Sequence, residues 1–245
     1  MNSKINLCEQ CINDFADCPA QCDDITFGDG VGNDNVIRCE WLKEKSRPKV
    51  LIAVPALDTM PTQTAYSMLS LKRDCPSRFS FIVRASCHDA RNLLAREAIE
   101  SGADRVLWID SDMVFQDDLM LRLGEDLDRG NDMVGGIYFR REIPTSPLVY
   151  RVIDGKTGEA KVWKDYPQDR LFLCAGFGFG AVMMTTELLR RVGDYAFTPF
   201  NHLSEDLSFC ARAQEAGARI ACDSRVKVGH VGQIVIGEQL YRRPE

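Results

Sequence analysis

The sequence predicts an α/β domain built on a mostly parallel, doubly wound sheet, with a small cysteine-rich module in front of it. Three observations predict this. From residue 49 onward, short apolar runs alternate with stretches of helical periodicity. Their order is β-α-β-α-β, the pattern of parallel strands joined by crossover helices. Cysteine usage also changes along the chain. Cys8, Cys11, Cys18, Cys22 and Cys39 crowd the start, whereas Cys75, Cys87, Cys174, Cys210 and Cys222 stand singly in apolar or helical stretches and read as buried small hydrophobes. The expected division is a module over 1–47 and the main domain over 48–245.

Each element of the main domain has its own signal. Residues 49–55 (KVLIAVP) are a continuous apolar run, hence a buried strand, and 62–71 carry apolar residues at helical spacing. Residues 79–85 are a second strand. In 88–101, Ala90, Leu94 and Ala98 form one stripe and Gly102 lies just past the end, the pattern of a helix and its stop. Residues 105–110 (RVLWID) are a third strand, 117–127 a helix with Leu119, Leu123 and Leu127 four apart, and 133–139 the next strand. Asp154-Gly155 is a turn signal between strands at 148–153 and 160–164, which suggests an inserted hairpin. Strands at 171–175 and 180–185, helices at 186–192 and 204–216, and a final strand at 219–222 complete the domain.

Composition narrows the function. Of 245 residues, 45% are hydrophobic and 27% charged, so a folded core is expected rather than disorder. A net charge of -6 gives no broad electropositive surface, so nucleic acid is not indicated and any anionic ligand must be held locally. No apolar run approaches the roughly 20 residues of a membrane helix, and 1–7 lacks the apolar stretch of a secretion signal. No transmembrane segment and a cytoplasmic location are therefore expected.

The chemistry gathers at a few places. Asp110-Ser111-Asp112 ends the run Val106-Leu107-Trp108-Ile109, and its i, i+2 spacing aims both carboxylates to one side of an emerging strand. Open α/β sheets collect ligands outside the carboxyl ends of their strands, so the pair either holds Mg²⁺ or Mn²⁺ against an acidic ligand or forms a solvated turn. Ser204-Glu205-Asp206 opens a helix with Ser204 as N-cap, and its acids either favour the helix dipole or present a general base to a hydroxyl. His230, in Gly229-His230-Val231-Gly232, is either structural or completes a coordination shell with the Asp pair. In 174–181 (CAGFGFGA), Gly176, Gly178 and Gly180 let a ligand such as a sugar approach bare backbone, or make a tight loop around core phenylalanines. Arg84 and Arg91-Asn92 are the cations and amide placed near a diphosphate or base, with Arg140-Arg141 a second option, although helical arginines are usually solvated.

HDARN (88–92), VLWIDSDMVF (106–115), GGIYFRRE (135–142), AGFGFGAVMM (175–184), SEDLSFCARAQEAGARI (204–220) and VGHVG (228–232) follow one another in the chain. Their linked order resembles the GT-A glycosyltransferases, in particular the family 2-like branch with small bacterial and phage members. The resemblance spans 49–232. It implies a Rossmann-like GT-A fold and transfer of a sugar from a UDP- or GDP-type nucleotide-diphosphate donor to an unidentified acceptor: a glycan, protein, lipid or small molecule. It also implies that Asp110 faces the nucleoside or metal, that Asp112 binds Mn²⁺ or Mg²⁺ directly, and that His230 completes the metal site. Asp206 is then the general base of an inverting displacement with Glu205 in support, and Pro55-Ala56 grip the nucleotide. A retaining enzyme would share the metal site without needing this base.

Rival classes are weaker. A nucleotidyltransferase uses a similar sheet and metal, yet 55–62 (PALDTMPT) lacks the glycines and basic residues that hold a triphosphate. A noncatalytic binding protein has no need of Asp112, Asp206 and His230. The segment 8–39 is short of aliphatic residues and cannot build a core of its own. Its spacing Cys8-x2-Cys11-x6-Cys18-x3-Cys22 suits four thiolates around Zn²⁺, with Cys39 as an alternative ligand, and in a reducing compartment zinc is expected over disulfides.

Overall fold

The computed structural model describes residues 47–142 and 144–232, together with the backbone of 25–27 and 36–39. The chain forms two compact units, Met1–Arg47 and Pro48–Glu245. In the first, β1 (Ile25–Phe27) and β2 (Val36–Cys39) pair antiparallel. Cys8, Cys11, Cys18, Cys22 and the side chain of Cys39 lie outside the described residues, and the expected zinc site with them.

The second unit runs β3 (Val50–Ala56), α1 (Thr62–Ser70), β4 (Ser77–Val83), α2 (Cys87–Glu100), β5 (Arg105–Ile109), β6 (Met113–Val114), α3 (Leu119–Asp128) and β7 (Met133–Ile137). Then come the hairpin strands β8 (Val149–Ile153) and β9 (Ala160–Val162), followed by β10 (Leu171–Leu173), β11 (Gly176–Phe177) and β12 (Ala181–Thr185). It closes with α4 (Thr186–Val192), α5 (Glu205–Glu215), β13 (Ile220–Lys227) and β14 (Gly229–His230). The central sheet has seven strands in the order β10-β13-β7-β12-β5-β3-β4. Only β12 and the edge strand β10 run against the others, so the sheet is mostly parallel, as the alternating pattern predicts.

Period-two alternation sorts the strand side chains onto two covered faces. Leu51, Ala53, Val106, Trp108, Val182 and Met184 share a core with Leu94 of α2, Leu188 of α4 and Phe209 of α5. Val50, Ile52, Val54, Leu107, Ile109 and Met183 share the other with Met68 of α1 and Leu123 of α3. Burial on both faces is why VLWI is apolar without alternation. Among the described residues no helix is long and apolar enough to cross a membrane.

One irregularity positions the site. β13 follows β7 in register to Asp223 and then shifts before Lys227. The shift turns the strand over: Ile220 and Cys222 lie in the first core, Val226 and Val228 in the second. Beyond it, β14 pairs antiparallel with β6 and sets His230 opposite Met113, next to Asp112. The strand expected to end at residue 222 thus continues to Lys227, and it is not the last.

Candidate active site

β5 delivers Asp110 and Asp112 to the carboxyl edge of the sheet. The Asp110 N–H donates to the Gly180 carbonyl at 3.1 Å, extending the β5/β12 ladder by one bond before the chain turns into β6. The two carboxylates then diverge. Asp110 Oδ1 accepts from Arg91 Nη2 at 2.7 Å, whereas Asp112 Oδ2 lies 2.8 Å from Arg141 Nη1 and 3.4 Å from His230 Nε2. The resemblance implies Asp110 on the nucleoside or metal side and Asp112 with His230 on the metal. Arg91 holds Asp110, and among the described residues no three His, Cys, Asp or Glu side chains group closely enough to hold a metal ion.

His230 is set by its neighbours. Nδ1 lies 3.0 Å from the Phe139 carbonyl, which can only accept, so Nδ1 carries the proton. In the neutral ring the lone pair is then on Nε2, facing the Asp112 carboxylate. Two lone-pair groups that face each other require a proton or a cation between them. Despite burial, which opposes protonation, the hydrogen bond to Asp112 raises the His230 pKa. Despite burial, the same bond and the Arg141 charge lower that of Asp112. A hard carboxylate oxygen, plus an imidazole whose far N–H is fixed by a backbone carbonyl, fits a divalent cation that keeps several water ligands.

Arg91 departs from expectation. It lies on the inward stripe of α2 with Ala95 and Ala98 and is 1% exposed, not solvated. Its guanidinium is 5.2 Å from the Phe179 ring centroid, 5.8 Å from Trp108 and 5.9 Å from Phe197, and Nε is 3.8 Å from Glu205 Oε1. It is an internal counter-charge for the acids rather than an open nucleotide-binding cation. Even so, burial pushes Asp110 up to about 6 against the pull of Arg91.

The first turn of α5 presents Glu205 and Asp206. Ser204 stands at the N-cap position, yet its hydroxyl makes no capping bond and donates to Asp206 Oδ1 instead. The Leu207 N–H donates to the same oxygen at 2.7 Å. Burial raises the Asp206 pKa in spite of the Ser204 bond, which makes the carboxylate a better base. Glu205 Oε1 accepts from Cys87 Sγ at 3.2 Å, and Cys87, expected to be a buried hydrophobe, is exposed.

The glycine run also has another cause than ligand approach. Residues 176–180 are all buried. A Cβ on Gly176 would lie 2.6 Å from Cys210, on Gly178 2.1 Å from Tyr138 Oη and 3.3 Å from Asp206 Oδ2, and on Gly180 2.7 Å from Met113. The bare backbone makes room for protein side chains. Tyr138 is the residue that sequence reading missed: its Oη accepts from the Gly180 N–H at 3.1 Å, and burial, Asp110 and Asp206 all raise its pKa. The signal was its place in GGIYFRRE, one residue removed from the arginine pair. A cavity of about 440 Å³ opens beside Asp112, lined by Pro61, Asp112, Arg141, Val231 and Gly232. Pro55 and Ala56, at the end of β3, do not line it. Arg84 is exposed at a φ of 60° and pairs with Asp58 at 2.5 Å.

No protein-family model matches the chain, and neither does any curated protein. Solved structures do. The crystal structure of A197 from STIV matches with a TM-score of 0.56 at 19% identity, over 76% of this chain and 86% of that one. GalNAc-T7, crystallised with UDP, GalNAc and Mn²⁺, matches with a TM-score of 0.56 at 9% identity, over 77% of this chain and 44% of that one. The fold is GT-A. Within it, Asp112 and His230 meet at the carboxyl edge of the sheet and Asp206 approaches from α5.

Proposed function

We propose that this chain transfers a sugar from a UDP- or GDP-type nucleotide-diphosphate donor to an acceptor hydroxyl, with inversion. One observation carries the reading: Asp112 and the lone-pair nitrogen of His230 face each other at the edge of a GT-A sheet. That the GalNAc-T7 structure holds UDP and Mn²⁺ supports a nucleotide-sugar donor and a divalent ion here. Asp112 and His230 would hold the ion, Mn²⁺ or Mg²⁺, which supplies neutralising charge to a departing diphosphate.

The other residues divide the work. Asp206 takes the proton of the acceptor hydroxyl as that oxygen bonds to the anomeric carbon and the bond to the diphosphate breaks. Ser204 and the Leu207 N–H fix Oδ1, leaving Oδ2 for the acceptor. Arg91 anchors Asp110 and, more loosely, Glu205, so that the acids keep their places.

The test is a screen of nucleotide sugars for release of nucleoside diphosphate, with and without Mn²⁺. Asp112→Asn is expected to abolish Mn²⁺-dependent nucleotide binding. Asp206→Asn is expected to keep nucleotide binding while kcat falls by about 10²–10⁴. Transfer at the wild-type rate in Asp206→Asn removes the base assignment.

A further inference from the structure

The two neighbours of Asp112 are held very differently. His230 is pinned at Nδ1 by Phe139, lies in the β14/β6 pairing, and has a side chain only 16% exposed. Arg141 reaches Asp112 Oδ2 through one nitrogen at 2.8 Å, and its side chain is 51% exposed. It belongs to an exposed stretch: residues 139–142, 144 and 145 all face solvent, above a bridge between Phe139 and Pro147. Its stem runs beside Gly232, where a Cβ would stand 3.4 Å from Arg141 Cγ, and its neighbour Arg140 turns instead toward Tyr150 and Glu142. Among the described residues lining the cavity beside Asp112, Arg141 is the one cation.

We propose that Arg141 is a resident counter-charge of Asp112 which a divalent cation displaces, and that the released guanidinium then binds the phosphates of the donor in the adjoining cavity. The inference rests on the reading of Asp112 and His230 as cation ligands. A partly buried carboxylate without a counter-charge is costly, and a guanidinium at hydrogen-bond distance supplies one. Because that guanidinium is half exposed, the pair is weak and open to exchange. A divalent ion and a guanidinium repel each other and cannot share Oδ2 at close range, so they hold it in turn. Once free, the planar fork of Arg141 matches two phosphate oxygens, and it lies where an anion in the cavity would need a partner.

The experiment follows Mn²⁺ binding to the full chain directly, from the electron paramagnetic resonance of free Mn²⁺, without nucleotide. Arg141→Ala is expected to bind Mn²⁺ about threefold to fivefold tighter than wild type. At saturating Mn²⁺ its affinity for UDP or GDP is expected to fall about tenfold. Arg141→Gln, which keeps the length and a polar tip without the charge, repeats both measurements should Arg141→Ala melt early. Equal or weaker Mn²⁺ binding in both variants overturns the exchange and leaves the cation site standing. Unchanged nucleotide affinity overturns the second half. Absence of Mn²⁺ binding in wild type and variants alike, with or without UDP or GDP, removes the cation reading itself.

Discussion

Gly178 stands where the backbone of the glycine run passes between Tyr138 and Asp206, and a single methyl group tests how closely they are packed. A Cβ there would sit 2.1 Å from Tyr138 Oη, so Gly178→Ala must push the phenol away and loosen its bond from the Gly180 N–H. Overpacking of this kind costs about 1–3 kcal/mol, to be read from urea unfolding. Tyr138→Phe removes the clashing oxygen but leaves the Gly180 N–H without its partner. In the double variant the two losses should fall short of their sum by about 0.5 kcal/mol or more. Strict additivity would mean that the two residues do not press on each other. The alternating glycines were plain in the sequence, but what fills the space beside them was not. The filling atoms come from β6, β8, α5 and Tyr138 just past β7, which local pattern does not bring together.

Elements long enough to show an apolar run or a helical period were legible, and shorter ones were not. The continuous apolar runs that became β3 and β5 and the helical stretches that became α2 and α4 have bounds within a residue or two of expectation. The two-residue strands β6, β11 and β14 are too short to show a period, yet the β14/β6 pair is what brings His230 to Asp112. Arg91 was legible as helical but not as buried, and Arg141 on Asp112 follows from a loop path that spacing does not encode. The contact between α3 and β13 was likewise invisible. There Asp126 and Asp223, 2% and 1% exposed, share Arg225, which lies 2.9 Å from Asp223 and 3.5 Å from Asp126, with Arg129 3.2 Å from Asp126. Burial and Asp223 push Asp126 up to about 6, while Arg225, against burial, holds Asp223 below the usual range. The raised folded-state pKa of Asp126 means a stabilising contribution that is complete below the unfolded value near 3.8 and lost as pH rises through about 6. Asp126→Asn keeps a donor to Asp223 and has no proton to lose. Its stability relative to wild type should therefore climb between about pH 4 and pH 7 in urea melts. A constant difference across that window would show that no proton is shared there.

At the scale of the whole molecule, the sheet works as a partition whose carboxyl edge collects groups from both sides. Asp206 belongs to α5, whose Phe209 and Cys210 pack in one core, while the strand end that carries His230 emerges from the other core through Val226 and Val228. Asp112 leaves β5 between them, and Tyr138, set among Asp110, Asp206 and His230, closes the gap at the edge. On the proposed reading, a base from one layer and a cation held by Asp112 and His230 from the other would leave the anomeric carbon between incoming oxygen and departing diphosphate. That is the requirement of in-line single displacement. The expected product therefore has the anomeric configuration opposite to that of the donor, as read from the anomeric proton coupling in NMR of freshly formed product. Retained configuration would leave Asp112 and His230 in place as a cation pair but take Asp206 out of the proton transfer, because a retaining transferase has no use for a base on the acceptor from α5.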